Sequence, residues 1–307
     1  MGDGDAGDAF NRVAREIGGM EFVDRLTALS GSDFTTVMLE VAKRRAARQT
    51  PATLLRRYQH DRFVRPGATP WRAARQAEDA LLDFLPPETE VVPLAPLVPL
   101  GTHSALATVS QHKVVTAIRA CEVAADPTNA LTLEAAVRRS GQPRKLVRLA
   151  AIQRVVRAQR FPAGWSAHFS LFATVTAGRD QGSRRFEEAT IAEQLRFALS
   201  ALRAAGVPRV QVALTPLSDA GETIAAAAAP ALEWAEVVTD QDRTSGRGYY
   251  RDLCFKVNAI VDGTSVEIGD GGFTDWTARL LANAKERLLI TGYGLDRLAA
   301  LIGEPVG

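Results

Sequence analysis

The stretch Arg144–Arg179, RKLVRLAAIQRVVRAQRFPAGWSAHFSLFATVTAGR, constrains the fold more than any other part of the chain. Residues 146–156, LVRLAAIQRVV, are apolar with β-branched side chains in alternation, the pattern of a buried strand. Residues 157–168 interrupt it with a basic, turn-rich segment in which Pro162, Ala163 and Gly164 supply turn material. FSLFATVTAG (169–178) then restores the apolar run. The spacing predicts a long hairpin, with Arg154 on the incoming strand and Arg157, Arg160 and His168 at its mouth. A planar guanidinium bonds two oxygens at once, so arginines gathered there suit a phosphate or a carboxylate. A solvated basic turn is the alternative.

Around this hairpin the chain reads as helices and strands together. Residues 1–9 are Gly/Asp-rich and predicted to be disordered. Helical apolar spacing runs from Ala9 to Leu29 and from Asp33 to Arg48, with Ser32 as N-cap of the second run. PATLLRRYQHDRF (51–63) starts with Pro51 at a favoured first-turn position. These runs make a helical N-terminal module, residues 1–66, whose Arg44, Arg45, Arg48, Arg56 and Arg57 form a solvated face or a polyanion contact. Trp71–Phe84 is an Ala/Leu-rich helix. The extended segment 89–100 carries Pro93, Pro96 and Pro99, which keep it out of a central ladder position. Asp126-Pro127-Thr128-Asn129 signals a turn. Residues 185–206 form an amphipathic helix stopped at Gly206, followed by a strand and turn over 207–221.

With 307 residues the chain can bury a substantial core, and a net charge of +2 gives no case for nucleic-acid binding through bulk charge. Cys121 and Cys254, far apart, suit neither a disulfide framework nor a cysteine zinc site and fit a reducing cytoplasm. No stretch has the apolar length of a membrane span, and MGDGDAGDAF has no signal-peptide core. His60, His103, His112 and His168 show no HxxxH or HExxH spacing, so no metal site is expected. Abundant Ala and Arg point to a high-GC bacterial coding bias, which makes arginine counts alone uninformative. His103, His112, Lys113 and Arg119 stand out as polar residues in apolar surroundings.

Four segments, in order, resemble class II aminoacyl-tRNA synthetases, most closely the histidyl type. A long helix followed by a strand ending in proline resembles their motif 1. In the hairpin, Gln153-Arg154-Val155-Val156 stands for the Phe-Arg-x-Glu of motif 2, and Phe169-Ser170-Leu171 for Phe-His-Gln. RTSGRGYYRDLCFKVNAIV (243–261) resembles Arg-Gly-x-Asp-Tyr-Tyr-Thr-Gly-x-x-Phe-Glu, with Tyr249, Tyr250 and Phe255 aligned. Gly271-Gly272-Phe273-Thr274-Asp275 stands for Gly-Gly-Arg-Tyr-Asp, and Gly294-Leu295-Asp296-Arg297-Leu298 for the Gly-Leu-Glu-Arg-Leu of motif 3. ALTLEAAVRR sits where Leu-Arg-Pro-Glu-Gly-Thr would, with Glu134 at the glutamate position; the start of an exposed helix is the other reading of Glu134.

The resemblance implies an α+β fold, an antiparallel sheet flanked by helices over residues 67–307, behind the helical module 1–66. It implies ATP with Mg2+ at Arg154, Arg157, Arg297 and Gly294, with Arg154 and Arg297 catalytic. It implies a small carboxylate or amino acid at Glu134, Tyr249, Tyr250, Gly271 and Gly272, the glycines admitting a ligand close to the backbone. A homodimer through Trp71–Phe84 and Thr89–Leu94 is implied as well. The departures matter equally. Val156 replaces a glutamate that reads adenine, and Ser245 replaces a catalytic arginine, for which Arg243 or Arg247 could substitute. Leu171 and Val175 replace the histidine-reading residues, so histidine is not the expected ligand. Nine residues follow Leu298, so no anticodon-binding domain, and no tRNA, is expected. Two functions follow: a tRNA-independent, AMP-forming ligase of the cytoplasm serving a small amine or carrier protein, or a non-catalytic regulatory or partner-binding pseudo-synthetase resembling the regulatory subunit of ATP phosphoribosyltransferase. A purely structural partner subunit is a third possibility.

Overall fold

The computed structural model describes residues 3–162 and 165–303, so the expected disorder of Met1 and Gly2 and the turn role of Ala163 and Gly164 lie outside the described residues. The chain divides into two compact units, Met1–Asp61 with Thr116–Cys121, and Arg62–Val115 with Glu122–Gly307.

The first unit carries four helices, α1 (Asp3–Glu16), α2 (Met20–Ala28), α3 (Gly31–Ala46) and α4 (Pro51–His60). Residues 3–9 are helical rather than disordered, a correction to the compositional expectation. The cap of α3 is Ser30, two residues before the expected Ser32, because its hydroxyl is the one that accepts from the Asp33 N–H. Thr50 and Thr53 close a reciprocal capping box ahead of Pro51. Two of the basic residues are held by carboxylates of this unit, Arg44 by Glu40 and Arg57 by Asp61.

The second unit is built on an eight-stranded sheet. Its strands are β1 (Glu90–Val91), β2 (Val147–Val156), β3 (His168–Arg179), β4 (Val210–Pro216), β5 (Glu236–Thr239), β6 (Tyr250–Val261), β7 (Thr264–Thr274) and β8 (Glu286–Gly294). They lie in the order β1-β2-β3-β8-β7-β6-β4-β5. Only the edge pairs β1–β2 and β4–β5 are parallel; every interior pair is antiparallel. The predicted hairpin is β2–β3, in register from Val147↔Ala177 to Val156↔His168. The proline-rich segment supplies β1 at the sheet edge, and Pro93, Pro96 and Pro99 all lie beyond it, so none removes a bond from this ladder.

Both faces of the sheet are covered, which is why its central strands read as continuous apolar runs. Ala150 and Phe172 face a core shared with α5 (Trp71–Leu82), α8 (Arg185–Ala204), α9 (Asp219–Ala228) and α11 (Leu295–Ile302). Their neighbours Leu149, Ala151 and Ala173 face a second core, against α6 (Thr102–Ala107), α7 (Pro127–Gly141) and α10 (Trp276–Leu280). Asp126-Pro127-Thr128-Asn129, expected to be a turn, opens α7: Asp126 is its N-cap and Pro127 its first residue. Inside that helix a fully buried Arg139 clasps Glu286 of β8 through two bonds, at 2.8 and 2.9 Å, which fixes α7 against the sheet.

Gly271 and Gly272 serve this packing. A Cβ on Gly271 would come within 2.6 Å of the Ile290 carbonyl and 2.7 Å of the Phe255 ring; on Gly272 it would come within 2.7 Å of Cys254 Cβ and the Tyr250 ring. Their missing side chains make room for neighbouring strands.

Candidate functional site

Two cavities open on the α7 side and the hairpin end of the sheet, both within the second unit. The inner one is about 280 Å³ and the outer about 470 Å³. They share Asp126, Arg157, Gln159, Asp270 and Gly292, and so form one bipartite cleft. Gly292 is the one cleft glycine whose added Cβ would meet no atom within 4 Å, consistent with a floor position facing open space.

The outer cavity is walled by the hairpin, by β7 and by the start of α11. Arg154 rises from β2, donating to His168 Nδ1 at 2.9 Å and to Ser170 Oγ at 3.4 Å. His168 in turn meets the Arg65 carbonyl through Nε2 at 2.6 Å. Arg297 stands in the first turn of α11, donates to the Glu267 carbonyl at 2.8 Å and lies over the Trp165 ring at 5.0 Å. Its carboxylate partner is Glu267, at 3.4 Å, and not the adjacent Asp296. Asp296 is committed elsewhere, accepting from the Ser170 N–H at 2.7 Å and from the Thr69 hydroxyl. Thr69 belongs to the segment Gly67–Thr69, which forms part of this wall beside Arg154.

The inner cavity lies between the N-terminus of α7 and an aromatic group. Tyr249 packs on Tyr250 at 4.4 Å and on Trp276 at 5.6 Å between ring centroids. Burial pushes both tyrosine hydroxyls well above the ordinary phenol value, so both stay neutral. Asp126 caps α7 through Oδ1, which accepts from the Thr128 N–H and hydroxyl, while Oδ2 accepts from Arg157 at 3.3 Å. Arg157 also donates to the Ala125 carbonyl at 2.9 Å and stacks on Phe169 at 5.1 Å, holding its guanidinium at the junction of the cavities.

Asp270 projects from β7 into both cavities. From behind, Arg243 donates to it at 2.8 Å, and Tyr250 OH reaches it at 3.3 Å. Burial pushes the Asp270 carboxyl above the ordinary aspartate value, and the Arg243 guanidinium pulls against that push. The Asp270 side chain keeps 38% of its exposure, whereas that of Arg243 has none.

The structure thus brings Arg154, Arg157, Arg297 and Gly294 together in the outer wall, and Arg157, Tyr249 and Tyr250 in the inner one. Glu134, Gly271 and Gly272 stand in neither. Glu134 pairs with Arg138 at 2.7 Å on the outer face of α7, where Arg138 also holds Glu90. Neither candidate for the missing arginine reaches the cleft wall: Arg243 is spent on Ser245, Phe255 and Asp270, and Arg247 donates to the Gln241 carbonyl. Sequence reasoning missed Asp126, Asn129, Asp270, Trp276 and Glu267. An acid inside an apolar, glycine-rich strand, as in SVEIGDGGF, was the available signal for Asp270.

Neither a protein-family model nor a curated protein matches the chain in sequence. Among solved structures it is similar to an ATP phosphoribosyltransferase regulatory subunit/histidyl-tRNA synthetase from Bacillus halodurans (TM-score 0.64, 12% identity, 78% of this chain and 83% of that one). It is also similar to S. aureus histidyl-tRNA synthetase without ligand (0.59, 15%, 76% and 66%) and to a histidine–tRNA ligase subunit from Alicyclobacillus acidocaldarius (0.58, 14%, 75% and 93%). The chain spans just under two-thirds of the S. aureus enzyme. Identities this low speak for the fold alone, and the fold is that of the class II aminoacyl-tRNA synthetase core, in its histidyl-type form.

Proposed function

We propose that this chain is a synthetase-like protein that holds a small amino acid or carboxylate in the inner cavity and ATP in the outer one. The observation that carries the reading is the shared wall: Arg157 and Asp270 belong to both cavities, so groups bound in each would meet at a cation and a carboxylate. Asp270 suits an ammonium group, and Arg157 suits a carboxylate or a phosphate. In the outer cavity the Phe169 and Trp165 rings and the guanidinium groups of Arg154 and Arg297 suit a base and its phosphates. Among the described residues no group of three His, Cys, Asp or Glu could hold a metal, so magnesium would be carried mainly by the phosphates. The reaction such a pairing permits is transfer of AMP to the ligand's carboxylate with release of pyrophosphate.

A second reading, the non-catalytic regulatory or partner-binding pseudo-synthetase, is favoured by one specific observation. Every guanidinium in the cleft wall already has a protein partner: Arg154 with His168, Arg157 with Asp126, Arg297 with Glu267. On this reading the chain is a homodimer serving an enzyme or carrier protein. Magnesium-dependent ATP titration by calorimetry, followed by ATP–pyrophosphate exchange against a panel of amino and carboxylic acids, separates the two. On the first reading Arg297→Ala weakens ATP binding by about 1.5–3 kcal/mol, the worth of a charge-assisted hydrogen bond. It costs the fold only about 1 kcal/mol, because its contacts to Glu267 and Trp165 are partly exposed. A null ATP titration with a clearly destabilised Arg297→Ala leaves the pseudo-synthetase.

A further inference from the structure

Residues 62–69 run along the outer cavity as a strap, tied to the hairpin at one end and to α11 at the other. Arg62 donates to the Ala158 carbonyl and, at 2.6 Å, to the Gln159 carbonyl at the hairpin mouth. The Arg65 carbonyl meets His168 Nε2 at 2.6 Å. Gly67 lies against the guanidinium of Arg154, and the Thr69 hydroxyl donates to Asp296 in the first turn of α11. The segment Arg65-Pro66-Gly67-Ala68-Thr69-Pro70 is also stiff, because each proline fixes its own φ and disfavours the helical conformation for the residue before it. Pro70 is the N-cap of α5, whose Ala73, Ala77 and Leu81 are buried, so the strap ends in the core.

These contacts decide which atoms of Arg154 remain for a ligand. A carbonyl only accepts, so His168 Nε2 carries the proton and Nδ1 is the acceptor for Arg154 Nε–H, 2.9 Å away. That relay occupies Nε. Of the two Nη groups, one reaches Ser170 Oγ at 3.4 Å, a long bond, and the other lies beside Gly67. A Cβ on Gly67 would overlap Arg154 Nη2 and stand 3.4 Å from its Cζ. Gly67 is exposed and lies outside the left-handed region, so neither burial nor backbone strain asks for glycine there. The guanidinium does.

We propose that Gly67 is a positioning residue for Arg154: the bare backbone of the strap on one side and the Arg65–His168 relay on the other hold the guanidinium, leaving its Nη fork for the phosphates of a nucleotide. This rests on the nucleotide reading of the outer cavity. A fork bonds two oxygens only in one orientation, and a side chain already held in it loses little freedom on binding. The strap therefore contributes affinity through Arg154 without touching the ligand.

Magnesium-dependent ATP titration of the full chain by calorimetry tests this as a double-mutant cycle. Gly67→Ala should weaken ATP about tenfold, as for one charge-assisted hydrogen bond. It should leave the melting temperature in place, because the displaced atom is the end of a flexible side chain. Arg154→Ala should weaken ATP at least as much, and Gly67→Ala should add nothing in that background, where the overlap is gone. Unchanged affinity in Gly67→Ala, or a loss that adds in full to that of Arg154→Ala, overturns the positioning role. So does a fall in melting temperature that is as large in the Arg154→Ala background as in wild type, the mark of a merely structural glycine. The nitrogen NMR signal of Arg154 Nε–H, identified by its absence in Arg154→Ala, needs no ligand; it should move in Gly67→Ala, and a signal that stays overturns the inference. Wild type binding no ATP at millimolar concentration overturns the nucleotide reading, and the Nε–H signal then decides the placement of Arg154 alone.

Discussion

Replacing Arg243 by Met separates a buried support from a catalytic arginine. The guanidinium is fully buried and donates to three oxygens, the Ser245 and Phe255 carbonyls at 2.8 and 2.9 Å and Asp270 Oδ2 at 2.8 Å. Breaking a buried ion pair from one side costs about 3–5 kcal/mol, because the other charge is left uncompensated. Here Asp270 keeps 38% of its exposure, so solvent takes up part of that loss. Each orphaned carbonyl adds about 1 kcal/mol, while the methionine fills most of the space left by the arginine stem. If solvent takes up about as much as the two carbonyls add, the net loss is about 3–5 kcal/mol, a fall in melting temperature of roughly 6–20 °C for a unit of this size. All four tryptophans, Trp71, Trp165, Trp234 and Trp276, lie in the second unit, so tryptophan fluorescence, excited selectively over the tyrosines, reports on that unit alone during urea unfolding. If instead Arg243 leaves its niche to act on a ligand, Arg243→Met would abolish the ligand's effect while changing stability by less than about 0.5 kcal/mol. That result would refute the reasoning.

Gly271→Ala should cost about 1–3 kcal/mol by the same measurement, since its Cβ would meet the Ile290 carbonyl at 2.6 Å; a neutral substitution would mean the strands part more easily than their packing implies. Glu122 is fully buried; burial pushes its carboxyl up, but bonds from the His103 and Gly101 N–H groups and the Gln111 amide together hold it below the ordinary glutamate value of 4.5. Its contribution is therefore present above that value and lost as pH falls through the lowered one, so Glu122→Gln should flatten the acid limb of a stability–pH curve and leave wild type and variant alike at low pH. Trp71, Val91 and Phe84 are 76%, 46% and 40% exposed along the segments expected to pair two copies. Light scattering should give about twice 33.0 kDa and Trp71→Asp a monomer; a wild-type monomer at micromolar concentration removes the dimer.

The fold was legible where one physical constraint governs a whole segment. The β2–β3 hairpin follows from two apolar runs around a polar break, and α8 from its single buried stripe stopped by Gly206 in the left-handed region (φ 85°). Where one residue type serves two roles, the sequence was ambiguous. Asp, Pro and Asn open helices as readily as they form turns, and only the Thr128 N–H and hydroxyl settling on Asp126 decide for α7. That ambiguity moved the site. Glu134 lies five residues beyond Asn129, about 140° further round the helix and about 7.5 Å along it, which takes it off the cavity face. A glycine pair likewise signals close approach without naming what approaches; at Gly271 and Gly272 it is the neighbouring strand.

The arginines divide in the same way. Alternation along β2 and a place in the first turn of α11 were enough to put Arg154 and Arg297 in one wall, because those positions are fixed by local periodicity. The position of Arg243 depends on a loop closing beneath β7, and no local pattern encodes that. Its consequence reaches the chemistry of the cleft. With Arg243 behind it, Asp270 presents the cavity with a carboxylate that is already partly neutralised and firmly oriented. Such a group can accept from an ammonium and would repel a phosphate in the outer cavity only weakly. An unpaired carboxylate at the same junction would oppose a nucleotide, and a free arginine there would repel the amine. The pair therefore lets one residue border both halves of the cleft, which neither partner could do alone.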